Sequence, residues 1–421
     1  MVMGCDPVVD KHTPDAAPGI DAAPDAPSHG MVSVKVYDPN GAGTVVVGVP
    51  VVFIEADGTL VGHPTTDSNG VATADVHANA SATSVVTTQG ETQMTTIVGL
   101  QPSDNIIMGT SLASSQDGTF AVSYPAMPGA SSYEVVGPCG SYSGNGSAVT
   151  LTIYTYCKTA TMDLIVVAED QSGNPIGSIE KPNVAYTAGG TTAITGGYQA
   201  ISTFNAGYTN VDPGITNISM NRTVPSNTGY GRGTSGTPAN GSLQLSITDI
   251  TGQTASVLSR ATKDSSIDLV FDNIAGNTLT YSMDVGASLL PWISSVTPDL
   301  AAKKITVVTD TTGTTNDKPD LFYESLSYSR TDGNGNTTNY YWNIVGPTVG
   351  DVTLPALPPE IGDVLPKSTD SLGSSFTVEL EMSTLTWDMI RPVVFDTLQT
   401  LGGAGSGKIR ESAYQPRQGV Q

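Results

Sequence analysis

The amino-acid sequence predicts an all-β protein. We expect tandem β-sandwich modules, then a larger antiparallel β-sandwich or jelly-roll-like domain, all preceded by a disordered N-terminal tether. Three observations support this fold class: short runs rich in Val, Thr and Tyr recur along the chain, turns built on Gly, Asn and Asp separate them, and charged residues make up only 13% of the composition. At 421 residues the chain is long enough for several domains, each with its own core.

Residues 1–30 carry a candidate lipid-anchor site and a tether. Cys5 follows Gly4, and residues 6–30 are rich in Asp, Ala and Pro, a composition that cannot bury enough apolar surface to fold. The Gly-Cys pair resembles the processing site of bacterial lipoproteins. The resemblance implies a signal peptide, a lipid on Cys5, and export to the cell envelope, at the outer membrane or the cell surface. A stray cysteine before an ordinary disordered tail is the alternative.

Residues 31–115 are predicted to form the first sandwich. Strand-like runs alternate there with turns such as DPNG at Asp38–Gly41 and DSNG at Asp67–Gly70. The stretch VPVVFIEADGTLVGHPTTDSNGVATADV resembles bacterial Ig-like and carboxypeptidase-regulatory-like modules. The resemblance implies a β-sandwich that acts as a spacer or a binding unit.

Residues 116–189 are predicted to form the second sandwich. Its opening, GTFAVSYPAMPGASSYEV, resembles a fibronectin type III domain, which implies that Tyr124 packs in the core. Cys139 and Cys157 end two strand-like runs on either side of a turn-rich segment. A disulfide between them would close a loop of about 18 residues and contribute roughly 3 kcal/mol, and it requires an oxidising compartment. Two free thiols in a cytosolic protein are the alternative.

Residues 190–401 are predicted to form the larger β domain, and residues 402–421 a disordered tail. Alternation of apolar and polar residues is clearest in LFYESLSYSR and TNYYWNIVG, which the turn-rich TDGNGNT separates. This pattern predicts a hairpin.

The charge of the chain limits its partners. Asp and Glu number 39 against 17 for Lys and Arg, a net charge of -22. Such a surface repels phosphate backbones, so we expect no nucleic-acid partner. The longest apolar stretch, Thr44–Ile54, is too short for a spanning helix.

Sequence motifs give little support for catalysis or for an organic cofactor. Gly231, Gly233 and Gly236 match G-x-G-x-x-G, but no helix pattern follows them. Glu379 and Glu381 lie about 6.5–7 Å apart on one face of a predicted strand, near the lower limit for an inverting glycosidase. The apolar residues that alternate with them favour a solvated face instead.

Calcium is the metal that the sequence suits best. Asp310, Asp317 and Asp320 crowd one polar loop, and a flexible loop of oxygen ligands is typical of calcium sites. Turn formation by the same residues is the alternative.

Four residues are candidate ligand contacts. Tyr340 and Trp342 share one side of a predicted strand and could form an aromatic platform for a sugar, although core packing is the usual fate of a strand Trp. Tyr230 and Arg232 lie in the stretch 226–242, which is long for a hairpin connection. It could be a contact loop or plain disorder.

These features predict a non-enzymatic, lipid-anchored envelope protein that binds a glycan, peptide or protein partner. Two alternatives stay open. One is a secreted glycan-active enzyme with its site in the C-terminal β domain, which converging carboxylates would favour. The other is a structural spacer without a ligand.

Overall fold

The computed structural model describes residues 29–38, 43–88, 90–109, 115–224, 230–236, 241–248, 254–347, 350–396 and 408–414. These residues are mostly β-strand, which confirms the predicted all-β fold class. Facing sheets enclose the main hydrophobic clusters. No helix in the described ranges is long and apolar enough to cross a membrane.

The first sandwich has a three-stranded sheet, β4-β1-β7, that packs on a second group of strands, β3-β2-β5-β6. The alternation in β1, where Val32, Val34 and Val36 are buried, points one face of the small sheet into a core shared with Phe53 and Ile97. Its strands are β1 (His29–Val36), β2 (Val51–Ile54), β3 (Leu60–Gly62), β4 (Val71–His77), β5 (Ala80–Thr88), β6 (Glu91–Leu100) and β7 (Asn105–Met108).

The second sandwich packs the sheet β10-β9-β12-β13 on the sheet β11-β8-β14. Tyr124 is buried in its core, 4.9 Å from the ring of Tyr133. Cys139 and Cys157 form the predicted disulfide, with their Cα atoms 5.3 Å apart. The strands are β8 (Gln116–Ser123), β9 (Ser132–Gly137), β10 (Gly140–Gly144), β11 (Ala148–Tyr154), β12 (Thr161–Glu169), β13 (Pro175–Ala185) and β14 (Gly190–Ala193).

The third group of strands packs the sheet β18-β15-β21 on the strands β17-β16-β19-β20. Phe204, Tyr208 and Trp292 lie in the core between them. The elements are β15 (Ser202–Thr209), β16 (Asn217–Val224), β17 (Tyr230–Gly236), β18 (Ser242–Ile247), β19 (Thr254–Lys263), β20 (Ser266–Ala275), β21 (Thr280–Asp284) and a short helix α1 (Val285–Ser288).

The last group places the sheet β22-β23-β26 over the strands β28-β27-β24-β25. Two 3-10 turns, Pro359–Ile361 and Arg391–Val393, accompany it. Its elements are β22 (Trp292–Asp299), β23 (Lys304–Asp310), β24 (Leu321–Thr331), β25 (Thr337–Gly346), β26 (Val352–Thr353), β27 (Ser371–Met382), α2 (Trp387–Ile390) and β28 (Ile409–Tyr414).

One twelve-stranded sheet connects the first, third and last groups, in the order β17-β16-β19-β20-β28-β27-β24-β25-β6-β5-β2-β3. The first group joins the last through the parallel pairing of β6 with β25, where Thr92 lies opposite Tyr340. The predicted units 31–115 and 190–401 therefore share a sheet. The ion pair between Arg391 and Asp104, at 2.7 Å, adds a second link between them.

The end of the chain departs from the sequence prediction. Residues 402–421 were expected to be disordered, but Ile409–Tyr414 form β28, which lies between β20 and β27 and is antiparallel to both. The expectation is wrong for these residues because a strand this short shows no local signal. The strand β28 is ordered by its pairing with β20 and β27, which lie elsewhere in the sequence.

Candidate functional site

The predicted aromatic platform is wrong. Trp342 is fully buried, and its indole nitrogen donates a hydrogen bond to Thr96 Oγ1 at 2.8 Å. Tyr340 is 8% exposed and stacks on Tyr328 with ring centroids 4.9 Å apart. Both belong to the core beneath the sheet β22-β23-β26. The sequence showed an alternating strand but not the layer that covers this face.

The calcium candidates are held apart by other partners. The carboxylate of Asp310 pairs with Lys263 at 3.1 Å, and that of Asp317 pairs with Arg410 at 2.7 Å. The carboxylate of Asp320 accepts a hydrogen bond from the Met382 amide at 2.9 Å. Across the described ranges, no group of three or more His, Cys, Asp or Glu side chains is arranged to hold a metal ion.

Two other predicted site residues lie partly or wholly outside the described residues. Cys5 belongs to the undescribed range 1–28. The backbone of Tyr230 begins β17, but its side chain is not described.

Arg232 does lie at a candidate binding site. The residue sits in β17, which pairs with β16. Its guanidinium reaches the hairpin turn between β12 and β13, where it donates hydrogen bonds to the Gly173 carbonyl at 2.7 Å and to Asn174 Oδ1 at 3.4 Å. Glu169 Oε1 lies 3.9 Å away and supplies a counter-charge. Arg232 thus joins the second sandwich to the third group of strands.

The hairpin turn itself is pre-formed. The carboxylate of Asp170 accepts hydrogen bonds from the amides of Ser172 and Asn174, at 2.8 and 2.9 Å. These hydrogen bonds lower the pKa of Asp170, and the bond from the Asn174 amide makes the largest contribution. The carboxylate therefore stays ionised and holds the turn beside Arg232.

A polar cleft of about 360 Å³ opens next to Arg232. Its floor is the outer face of β15 and β18, two antiparallel strands in which Thr203 lies opposite Ser246. Because side chains alternate along a strand, Leu245 and Ile247 enter the core while Gln244 and Ser246 remain exposed. The cleft is lined by Asn174, Thr203, Arg232, Gly233, Thr234, Gln244, Leu245 and Ser246.

Most of the lining side chains carry hydroxyl, amide or guanidinium groups. Amides supply both donors and acceptors, and hydroxyls act as either. Except for Asn174 in the hairpin turn, the lining residues stand on paired strands, which fix the positions of their backbones. Such a cleft can form many short hydrogen bonds with a polyhydroxylated molecule.

Glu379 is a second residue of functional interest. The sequence predicted that its side chain lies on a solvated face. That prediction is wrong: Glu379 is 1% exposed, and its Oε1 has no hydrogen-bond partner among the described residues. Burial raises its pKa to about 8. The strand β27 is covered on both sides, because Val378 and Leu380 enter one core while Glu379 faces the layer of β22 and β23.

Asp268 and Glu379 flank Ser412 across three adjacent strands. Both carboxyl residues pair with Ser412 in the sheet register, Asp268 from β20 and Glu379 from β27. Burial raises the pKa of Asp268 well above its usual range, the Ser412 hydroxyl lowers it, and the charges of Glu379 and Glu411 raise it further. The Ser412 hydroxyl also accepts a hydrogen bond from the Ile293 amide at 3.3 Å.

Sequence reasoning missed Thr203, Gln244 and Ser246. Each belongs to a strand with visible alternation, so their outward direction could be predicted. Their convergence with Arg232 could not, because it depends on the pairing of β15 with β18 and on the neighbouring hairpin turn.

Comparison with known proteins gives no family for this chain. No protein-family model and no curated protein sequence matches it. Among solved structures, it is similar at 6% identity and a TM-score of 0.15 to the Bacillus anthracis TIE protein, over 61% of this chain and 50% of that one, so the chain spans half the length of that protein. The two B repeat units of the Staphylococcus aureus collagen-binding protein align at 11% identity and a TM-score of 0.13, over 76% of this chain and 88% of that one.

Proposed function

We propose that this protein is an exported, non-enzymatic binding protein displayed on the cell surface, and that it binds a glycan in the cleft beside Arg232. The observation that carries the proposal is the cleft itself: about 360 Å³, lined by hydroxyl, amide and guanidinium groups on paired strands. Sugar hydroxyls both donate and accept hydrogen bonds, as these groups do.

Two features support export. The Cys139–Cys157 disulfide forms and persists in an oxidising compartment. A lipid on Cys5 would attach the chain to the membrane, and the tether rich in Asp, Ala and Pro would hold the β domains away from it. Calcium has no part in this proposal.

Glycoside hydrolysis is the competing function, and the state of Glu379 favours it. Its raised pKa of about 8 keeps the carboxyl protonated at neutral pH, as a general acid must be. The other carboxylate lining the same cavity, Asp317, is already paired with Arg410. Since the described lining offers no second free carboxylate, we favour binding.

A glycan array tests the proposal. Wild-type protein should bind at least one glycan class, and Thr203→Ala and Gln244→Ala should each weaken that binding about tenfold or more, since each removes hydrogen bonds worth on the order of 1–2 kcal/mol. Thr73→Ala, at an exposed strand position remote from the cleft in the sheet order, is the matched control and should bind normally.

Two outcomes would contradict the proposal. Failure of the wild-type chain to bind any glycan would favour the alternative that the protein is a structural spacer without a ligand. Hydrolysis of fluorogenic glycosides by the wild-type protein, together with its loss in Glu379→Gln, would mean that the function is hydrolysis and not binding.

A further inference from the structure

A second cavity, of about 370 Å³, lies where β23 and β27 meet the segments that precede β22 and β24. It shares no lining residue with the cleft beside Arg232. The apolar side chains of Val307, Pro291, Pro319 and Pro347 line it together with the carboxyl group of Glu379. Thr309, Asn316, Asp317 and Lys318 also line it, so the acidic residue lies beside a cavity with both aliphatic and polar walls.

Glu379 enters this cavity without a partner. The residue is 1% exposed, and its Oε1 has no hydrogen-bond partner among the described residues. Burial alone accounts for the rise of its pKa to about 8. Buried polar groups are normally satisfied, so an unpaired carboxyl oxygen on a residue that lines a cavity indicates a missing partner.

The charged groups around Glu379 do not supply that partner. Asp317, which also lines the cavity, is paired with Arg410, and Arg410 is shared with Glu381 at 2.8 Å. Lys318 lines the cavity as well, but in the part of the chain that the structure describes its ammonium forms no ion pair with Glu379. Across Ser412, Asp268 adds a further acidic group.

We propose that this cavity binds a primary ammonium group on an aliphatic chain, with Glu379 as its counter-ion. A charge-assisted hydrogen bond to the ammonium satisfies the unpaired oxygen, and a cation in a desolvated site interacts with a carboxylate far more strongly than in water. Val307 and the three prolines contact the methylene groups of the ligand. The net charge of -22 attracts cations to the whole surface.

Two kinds of ligand carry such an ammonium group: a free aliphatic diamine, and the lysine side chain of a protein partner. Titration calorimetry on the full chain distinguishes them with 1,5-diaminopentane and with a short peptide that contains one lysine. The same peptide with that lysine acetylated is the ligand control. Binding of either amine supports the proposal and identifies the source.

The dependence on pH is a second readout. A free aliphatic amine stays protonated up to about pH 10, whereas Glu379 must lose its proton to pair with it. With a pKa of about 8 for Glu379, affinity should rise roughly twentyfold between pH 6.5 and 8.5. At pH 7 binding should release close to one proton, measured as a dependence of the heat on the buffer.

Glu379→Gln should abolish amine binding and preserve the fold, because glutamine resembles the protonated side chain. Glu411→Gln is the matched control. Glu411 is also a carboxyl whose pKa burial raises, to about 7, but it lies on the same face of β28 as Ile409 and Ala413, toward the other core. That variant should bind as wild type does.

Three results would overturn the proposal. They are the absence of binding by both amines at millimolar concentration, full binding by Glu379→Gln, and an affinity that does not change between pH 6.5 and 8.5. Glycan binding, measured separately, tests the cleft.

Discussion

Buried carboxyl groups are concentrated where β20, β24, β27 and β28 lie in one sheet. Burial raises the pKa of Glu379 to about 8 and those of Glu324 and Glu411 to about 7, and it raises that of Asp268 well above the usual range. Glu324 is satisfied by the hydroxyls of Ser375, at 2.8 Å, and Thr377. The folded state therefore favours the protonated form of these side chains.

We expect the contribution of Glu379 to the free energy of unfolding to fall as the pH rises from about 4.5 to 8. The pKa of Glu379 is about 8 in the folded state and has an ordinary value of 4.5. The stabilisation that protonated Glu379 contributes is therefore complete below pH 4.5 and is lost as the pH rises through 8. Glu379→Gln should be more stable than wild type by about 2 kcal/mol or more at pH 8.5, and this advantage should vanish at about pH 4. Urea unfolding at the two pH values measures it. Parallel pH profiles for the two proteins would contradict the burial of Glu379.

Trp342 is one of the largest fully buried side chains of the core. Because the indole is fully buried and bonded to Thr96, Trp342→Ala should destabilise the protein by about 3–5 kcal/mol. The matched variant Tyr341→Ala removes a side chain that is 38% exposed on the same strand and should cost far less. Urea unfolding distinguishes them. Equal losses would show that Trp342 does not lie in the core.

At the scale of elements, β28 completes the twelve-stranded sheet. It pairs with β20 through residues 266–271 and with β27 through residues 377–382. Without it, both neighbours would expose unpaired backbone groups in the middle of a covered sheet, which is costly.

Truncation tests the importance of β28. A chain that ends at Ser406 should lose cooperative unfolding in the C-terminal half or aggregate through the exposed edges, whereas a chain that ends at Tyr414 should unfold like the full protein. Hydrogen exchange in β20 and β27 measures the difference. Unchanged protection in the shorter chain would mean that β28 contributes little.

Sequence reasoning succeeds where the signal is local and fails where it depends on distant pairing. The pair Cys139 and Cys157 could be recognised because both end neighbouring strand-like runs. Trp342 and Glu379 were misjudged because their burial depends on a second layer over the sheet. For Trp342 the hydrogen-bond partner is Thr96, 246 positions earlier in the chain.

At the scale of the whole molecule, the second sandwich is joined to the third group of strands by an apolar contact and by Arg232. Val136, Ile165 and Val167 pack against Val224 and Ala255. The polar cleft lies beside this junction, where a ligand can contact groups from both parts. Binding sites are common at such junctions.

The acidic charge limits which ligands the molecule attracts. The net charge of -22 on the whole chain repels anionic surfaces. Neutral or basic ligands are therefore favoured over polyanions.

Hydrogen exchange with and without a glycan selected on the array tests whether the cleft beside Arg232 is the binding site. We expect slower exchange in residues 202–209, 230–236 and 242–247 and in the hairpin turn at 170–174, with no change in residues 337–346 around Trp342. Protection confined to residues outside the cleft, or no protection at saturating glycan, would contradict it.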